Sequence, residues 1–165
     1  PNSYSSEDPL AEPNLLFEQG ENGRFFAVNP QGGTSELLIG SSHGVAAGDI
    51  DGDGGVDLVV VNSNKPVTIL RNLVPNRGNW IAFRVLDKNG TDAIGAQVEL
   101  VLDDGSSFHS QVQTARGYAS AHDPRVHFGI ANRLPKKVRI VWPDGLKTAI
   151  ESPQIGTVHT VRYAE

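Results

Sequence analysis

Gly48-Asp49-Ile50-Asp51-Gly52-Asp53-Gly54-Gly55-Val56-Asp57 sets carboxylates at loop positions 1, 3, 5 and 9, with glycine at position 6. Carboxylates that alternate along a tight turn project oxygens into one concavity, and Gly54 permits the sharp reversal that closes it. The backbone carbonyl of position 7, Gly55, becomes available as a further oxygen ligand. Like charges crowded in this way are costly unless a cation neutralises them. An all-oxygen set selects a hard cation. A flexible loop suits calcium, with about six to eight ligands at variable distance, better than the rigid octahedron of magnesium. The expected metal ligands are Asp49, Asp51, Asp53, Gly55 and Asp57, with Ca2+ as the cofactor. A solvated acidic turn is the plain alternative.

What surrounds the loop decides the fold class. Loop position 12, where a helix-loop-helix calcium site carries a bidentate Glu, is Val60, inside the apolar run Leu58-Val59-Val60-Val61. Consecutive apolar residues of that kind suit a strand covered on both faces. Further strands are expected at Leu15 to Glu18, Arg24 to Val28, Gly44 to Asp49, Asp57 to Asn62 and Val67 to Asn72. Turns are expected at Gly20 to Gly23 and Asn29 to Gly33, after an extended polar lead-in over residues 1 to 13. No window keeps a helical period, so the chain reads as all-β.

The Asp-x-Asp-x-Asp-Gly-x-x-Asp spacing of Asp49, Asp51, Asp53 and Asp57 resembles the strand-loop-strand calcium site of FG-GAP repeats, also called VCBS repeats. These repeats build the β-propellers of integrin α-chains and of many bacterial extracellular proteins. The flanks agree, Leu15 to Phe25 with the upstream strand-turn-strand and Val67 to Asn72 with the closing strand, so the resemblance covers residues 14 to 72. It implies one blade with a long internal loop. A lone blade cannot bury both faces of its sheet. With no initiator Met before Pro1-Asn2-Ser3, the expectation is a processed chain or the carboxyl-terminal piece of a propeller protein.

Beyond a polar, Pro- and Gly-punctuated boundary at residues 71 to 79, alternation sharpens. Val98, Leu100 and Leu102 share one face, Asp103-Asp104-Gly105-Ser106 turns the chain, and Phe108 and Val112 continue the return strand. Val138, Ile140 and Trp142 alternate before the turn Pro143-Asp144-Gly145 and a strand at Lys147 to Ile150. With Ile81 to Val85, Val126 to Phe128 and Val158 to Tyr163 this makes about seven strands, for which a small antiparallel β-sandwich or barrel is the natural solution. The expected domains are a calcium-loop blade at residues 1–73 and the sandwich at residues 74–165. Gly78-Asn79-Trp80-Ile81, Asp92 to Ala96, Gly117 to Ser120, Asp123 to Gly129 and Val141 to Gly145 resemble the ASPIC and UnbV domain, over residues 79 to 165. That domain follows a propeller of such repeats in bacterial proteins and in animal cartilage acidic proteins.

Two readings of those motifs stand side by side. Trp80 and Trp142 are large enough to anchor a core, Asp92 suits a turn cap, and Asp123 with Arg125 suits an ion pair pinning a loop. The functional reading is a ligand site made by Asp92, Tyr118, Asp123, Arg125 and His127.

Composition excludes much else. The 165 residues contain no Cys and no Met, which removes disulfides, thiolate metal sites and cysteine nucleophiles. Residues 1 to 73 carry 3 basic and 10 acidic side chains, residues 74 to 165 carry 11 and 9, so the acidity is local and nucleic acid is not an expected partner. No apolar run is long enough for a membrane span, and no signal peptide is visible. His122 and His127, five apart, miss the spacing of a zinc protease. There is no nucleophile elbow, phosphate loop or dinucleotide fingerprint. The expectation is a non-enzyme, extracellular, at a cell surface or periplasmic, serving assembly, adhesion or recognition. Its partners would be other propeller blades or protein subunits, with glycan binding through Tyr118 and Trp80, or a place as an accessory subunit of a larger complex, as the alternatives.

Overall fold

The computed structural model describes residues 10–29, 31–63 and 65–164. The lead-in expected over residues 1 to 13 lies outside them up to residue 9, as does Pro30 in the turn expected at Asn29 to Gly33.

The amino-terminal strands are β1 (Glu12–Pro13), β2 (Phe17–Gln19), β3 (Phe25–Ala27), β4 (Ile39–Gly40), β5 (Ser42–Gly48), β6 (Asp57–Asn62) and β7 (Thr68–Leu70). β5, β6 and β7 form an antiparallel meander with the acidic loop as the β5–β6 connection. β2 and β3 make a hairpin, and β1 pairs with β4, a two-residue ladder too short for any periodic signal. The meander lacks the two-sided cover that Leu58 to Val61 leads one to expect. Val60 is buried, Leu58 and Val59 are half-buried, and Val61 is 49% exposed. Its apolar run belongs to a sheet that has a bare face among the described residues.

The carboxyl-terminal strands are β8 (Asn79–Leu86), β9 (Gln97–Leu102), β10 (Ser107–Gln111), β11 (Val126–Ala131), β12 (Pro135–Val141), β13 (Lys147–Glu151) and β14 (Val158–Arg162). They form one sheet in the order β10-β9-β12-β13 and another in the order β11-β8-β14. Period-2 alternation places Ile81, Phe83 and Val85 of β8 against Val98, Leu100 and Leu102 of β9 in a single core of sixteen buried apolar residues, all between residues 81 and 161. At about 1.5–3 kcal/mol for each large side chain, this burial is the main source of stability here. Trp142 is part of that core and donates from its indole to Thr148 Oγ1 at 2.8 Å. Trp80 is not; it lies half-buried on the outside of β8.

The sandwich is not wholly antiparallel, and neither sheet closes into a barrel. β14 runs parallel to β8, with Val158 opposite Ala82 and Arg162 opposite Leu86. Parallel partners need a long crossover, and here the five intervening strands supply it. Alternation reports which face a side chain takes and is blind to strand direction. At the β9–β10 turn Gly105 has φ +84°, which the hairpin requires and a side chain would oppose.

Candidate functional site

The loop between β5 and β6 is knitted by its own carboxylates. Asp49 accepts the amides of Gly52 through Oδ1 at 2.8 Å and of Gly54 through Oδ2 at 3.0 Å. Asp57, at the start of β6, accepts the Ile50 amide at 3.0 Å and, across to the strand end after β7, the Asn72 amide at 2.8 Å. Buried carboxylates are tolerated because these donors satisfy them. Asp49, Asp51 and Asp57 each place an oxygen within 4.8 Å of the others, which fits a hard cation held by oxygen alone.

Asp53 stands apart from that trio. It accepts the Gly55 amide at 2.7 Å and pairs with Arg77 at 2.9 Å, and these bonds hold its carboxyl below the usual carboxylate range. Gly55 is buried beneath Arg77, whose guanidinium fills the space a Cβ would need. Arg71 forms an ion pair with Asp51. The boundary segment thus sends two arginines into the loop, and neither was singled out by the spacing of the acidic motif. The available signal was charge: Arg71 and Arg77 are basic residues just downstream of a run of carboxylates.

The sandwich grips the same loop from the other side. Arg125 donates from Nη2 to the Asp49 carbonyl at 2.7 Å, and His127 Nε2 lies 2.9 Å from the Gly54 carbonyl. A carbonyl can only accept, so His127 carries its proton on Nε2. Its ring stacks on Trp80, with centroids 5.7 Å apart. Gly54, at φ +85°, lies flat against that indole, where a Cβ would come within 2.0 Å of Nε1. Arg125 is itself held by Asp123, which accepts from Nε at 2.6 Å, while the Asp123 amide donates to Ala47 at 3.0 Å. Burial raises the Asp123 carboxyl, but the Arg125 hydrogen bonds outweigh it and leave the group below its ordinary value.

Of the five residues proposed for a ligand site, Asp123, Arg125 and His127 come together, and they do so on the acidic loop. Asp92 instead accepts from Arg84 Nε at 3.1 Å. Tyr118 is 83% exposed beside an apolar hollow that Leu16, Val45 and Val60 also line. A pocket of about 170 Å³ remains where the loop meets the sandwich, lined in part by Asp49, Arg116, His122 and Arg125. The Nε2 of His122 is buried there with no hydrogen-bond partner.

Residues 86–165 match the family described as ASPIC and UnbV. Relatives of the chain include cartilage acidic protein 1 of Xenopus tropicalis, 26% identical over 169 aligned residues that cover 98% of this chain and 26% of that protein. The Mus musculus protein of the same name is 25% identical over 131 residues, 76% of this chain and 20% of its own length. The Homo sapiens protein is 26% identical over 129 residues, 75% and 20% respectively. The chain spans about a quarter or less of the length of these curated relatives. The ASPIC and UnbV match begins inside the last residue of β8, so Trp80 lies before it and Arg125 and His127 within it. Among the described residues no helix is long and apolar enough to cross a membrane.

Proposed function

We propose that this chain is a non-catalytic, calcium-binding module for assembly or recognition outside the cell, at a cell surface or in a periplasm. It would comprise a propeller blade of the FG-GAP type at residues 1–73 and the ASPIC and UnbV-like sandwich after it. The observation that carries the reading is the convergence of Asp49, Asp51 and Asp57 oxygens within 4.8 Å on a strand-loop-strand frame. Asp49, Asp51 and Asp57 would hold the cation, and Arg71 would have to yield Asp51 to it. The competing arginine and the exposure of Asp51 suit the weak, roughly 10⁻⁴–10⁻³ M affinities of extracellular calcium modules.

Phe17, Phe25, Phe26, Val61 and Ile69 support the assembly half of the reading. Each is about half exposed or more, on sheets that have room for another layer. Other blades or a protein subunit would supply that layer. A glycan platform is supported less, because Tyr118 is exposed whereas Trp80 is covered by Gly54 and His127. Titration calorimetry tests the cation. Calcium heat in the wild type and its loss in Asp51→Ala is the expected outcome, with magnesium weaker. No heat in the wild type would falsify the proposal.

A further inference from the structure

Resting on that reading of the loop, we infer that Arg125 and His127 are positioning residues for it. The sandwich clamps both ends of the acidic turn and so sets the cation affinity of a site to which it contributes no ligand. The two carbonyls it grips, those of Asp49 and Gly54, bracket the turn. Between them run the Gly52 and Gly54 amides that bind the two oxygens of Asp49. The grip is anchored on both sides: Asp123 ties Arg125 to Ala47 of β5, and the Trp80 indole backs both His127 and Gly54. Left to themselves, three carboxylates so close would spread apart. Holding the turn closed from outside means a cation has less ordering to impose when it binds.

A second force has the opposite sign. Arg125 is a positive charge near Asp49, and by Coulomb's law alone its removal would tighten cation binding. Asp123 neutralises that charge at hydrogen-bond distance, which leaves the clamp as the larger effect. The two effects therefore predict opposite outcomes for one substitution.

The test compares the wild type with Arg125→Met, His127→Phe and His127→Gln. Phe keeps a ring on Trp80 and loses the donor, which guards against an Arg125→Met chain that does not fold; Gln restores a donor. Calcium affinity is read by calorimetry, and exchange of the Gly52 and Gly54 amides is read without calcium. Arg125→Met and His127→Phe should weaken calcium binding by about tenfold, equivalent to about 1.4 kcal/mol, and speed amide exchange, while His127→Gln recovers much of both. Equal or tighter calcium binding in the first two variants, with exchange unchanged, overturns the clamp and leaves the cation reading intact. No calcium heat in the wild type removes the cation reading and the affinity claim with it. Exchange then decides the clamp alone, and unchanged rates in both variants overturn it.

Discussion

The carboxyl-terminal sandwich and the amino-terminal sheets dispose of their apolar side chains in opposite ways. All sixteen residues of the core cluster lie in the sandwich, whereas only Ala11 and Val60 are buried apolar residues before position 74 among those described. Conversely, sixteen of the twenty large exposed hydrophobics lie at or before Val74. The sandwich is therefore held by burial, and the amino-terminal sheets by polar means: carboxylate-to-amide bonds within the loop, Arg71 and Arg77 from the boundary, and the grip of Arg125 and His127. Two parts of one chain thus rest on different physics, and they should fail under different insults.

The largest expected effect lies in the sandwich. Phe83→Ala removes a fully buried ring and should cost about 3–5 kcal/mol. Denaturant unfolding followed by Trp142 fluorescence measures it. Val60→Ala, the matching truncation in the meander, should cost well under half as much, and equal costs would break the contrast.

Gly54→Ala comes next, because it strikes the joint between the two parts. The added methyl meets both a left-handed backbone and the Trp80 indole, so the loop must lift. A loss of about 1–3 kcal/mol is expected, together with a shift of the Trp80 indole resonance while that of Trp142 stays in place. An unmoved Trp80 signal would mean that the loop does not rest on the indole in solution.

The smallest effect is one of pH. The Asp123 carboxyl is held below its ordinary value near 3.8 in the folded chain. A depressed carboxyl contributes stability above its unfolded value and loses it as pH falls through the folded value. The Arg125 grip should accordingly be intact at neutral pH and weaken only below about pH 4, where Trp80 should respond before the core. A Trp80 transition centred near pH 6 would point to a different group.

Much of this architecture was legible in the chain alone, and the reasons differ from part to part. In the sandwich, alternation at Val98-Leu100-Leu102 and Val138-Ile140-Trp142, with near-explicit turns, placed β9, β10, β12 and β13, and the apolar runs at Ile81, Val126 and Val158 placed β8, β11 and β14. The short ladder of β1 and β4 left no trace, because two residues have no period. In the loop, spacing singled out Asp49, Asp51, Asp53, Gly55 and Asp57; the fold gathers the carboxylates of Asp49, Asp51 and Asp57, whereas the diversion of Asp53 to Arg77 depends on a residue 24 positions away. Asp92 and Tyr118 were grouped with Asp123, Arg125 and His127 by motif, whereas in the fold Asp92 bonds to Arg84 and Tyr118 lines an apolar hollow.

Local periodicity and loop spacing are properties of neighbours in sequence, so the sequence by itself determined the all-β class, the turns, the faces of the sandwich strands and the acidic loop as a candidate cation site. The parallel pairing of β14 with β8, the exposed face of β6, and the meeting of Gly54 with Trp80 and His127 were decided by tertiary structure alone. Each depends on which surfaces the folded chain brings face to face across tens of residues. A hydrogen bond from His127 to a carbonyl 73 positions earlier has no counterpart in local pattern, because any backbone carbonyl could accept it.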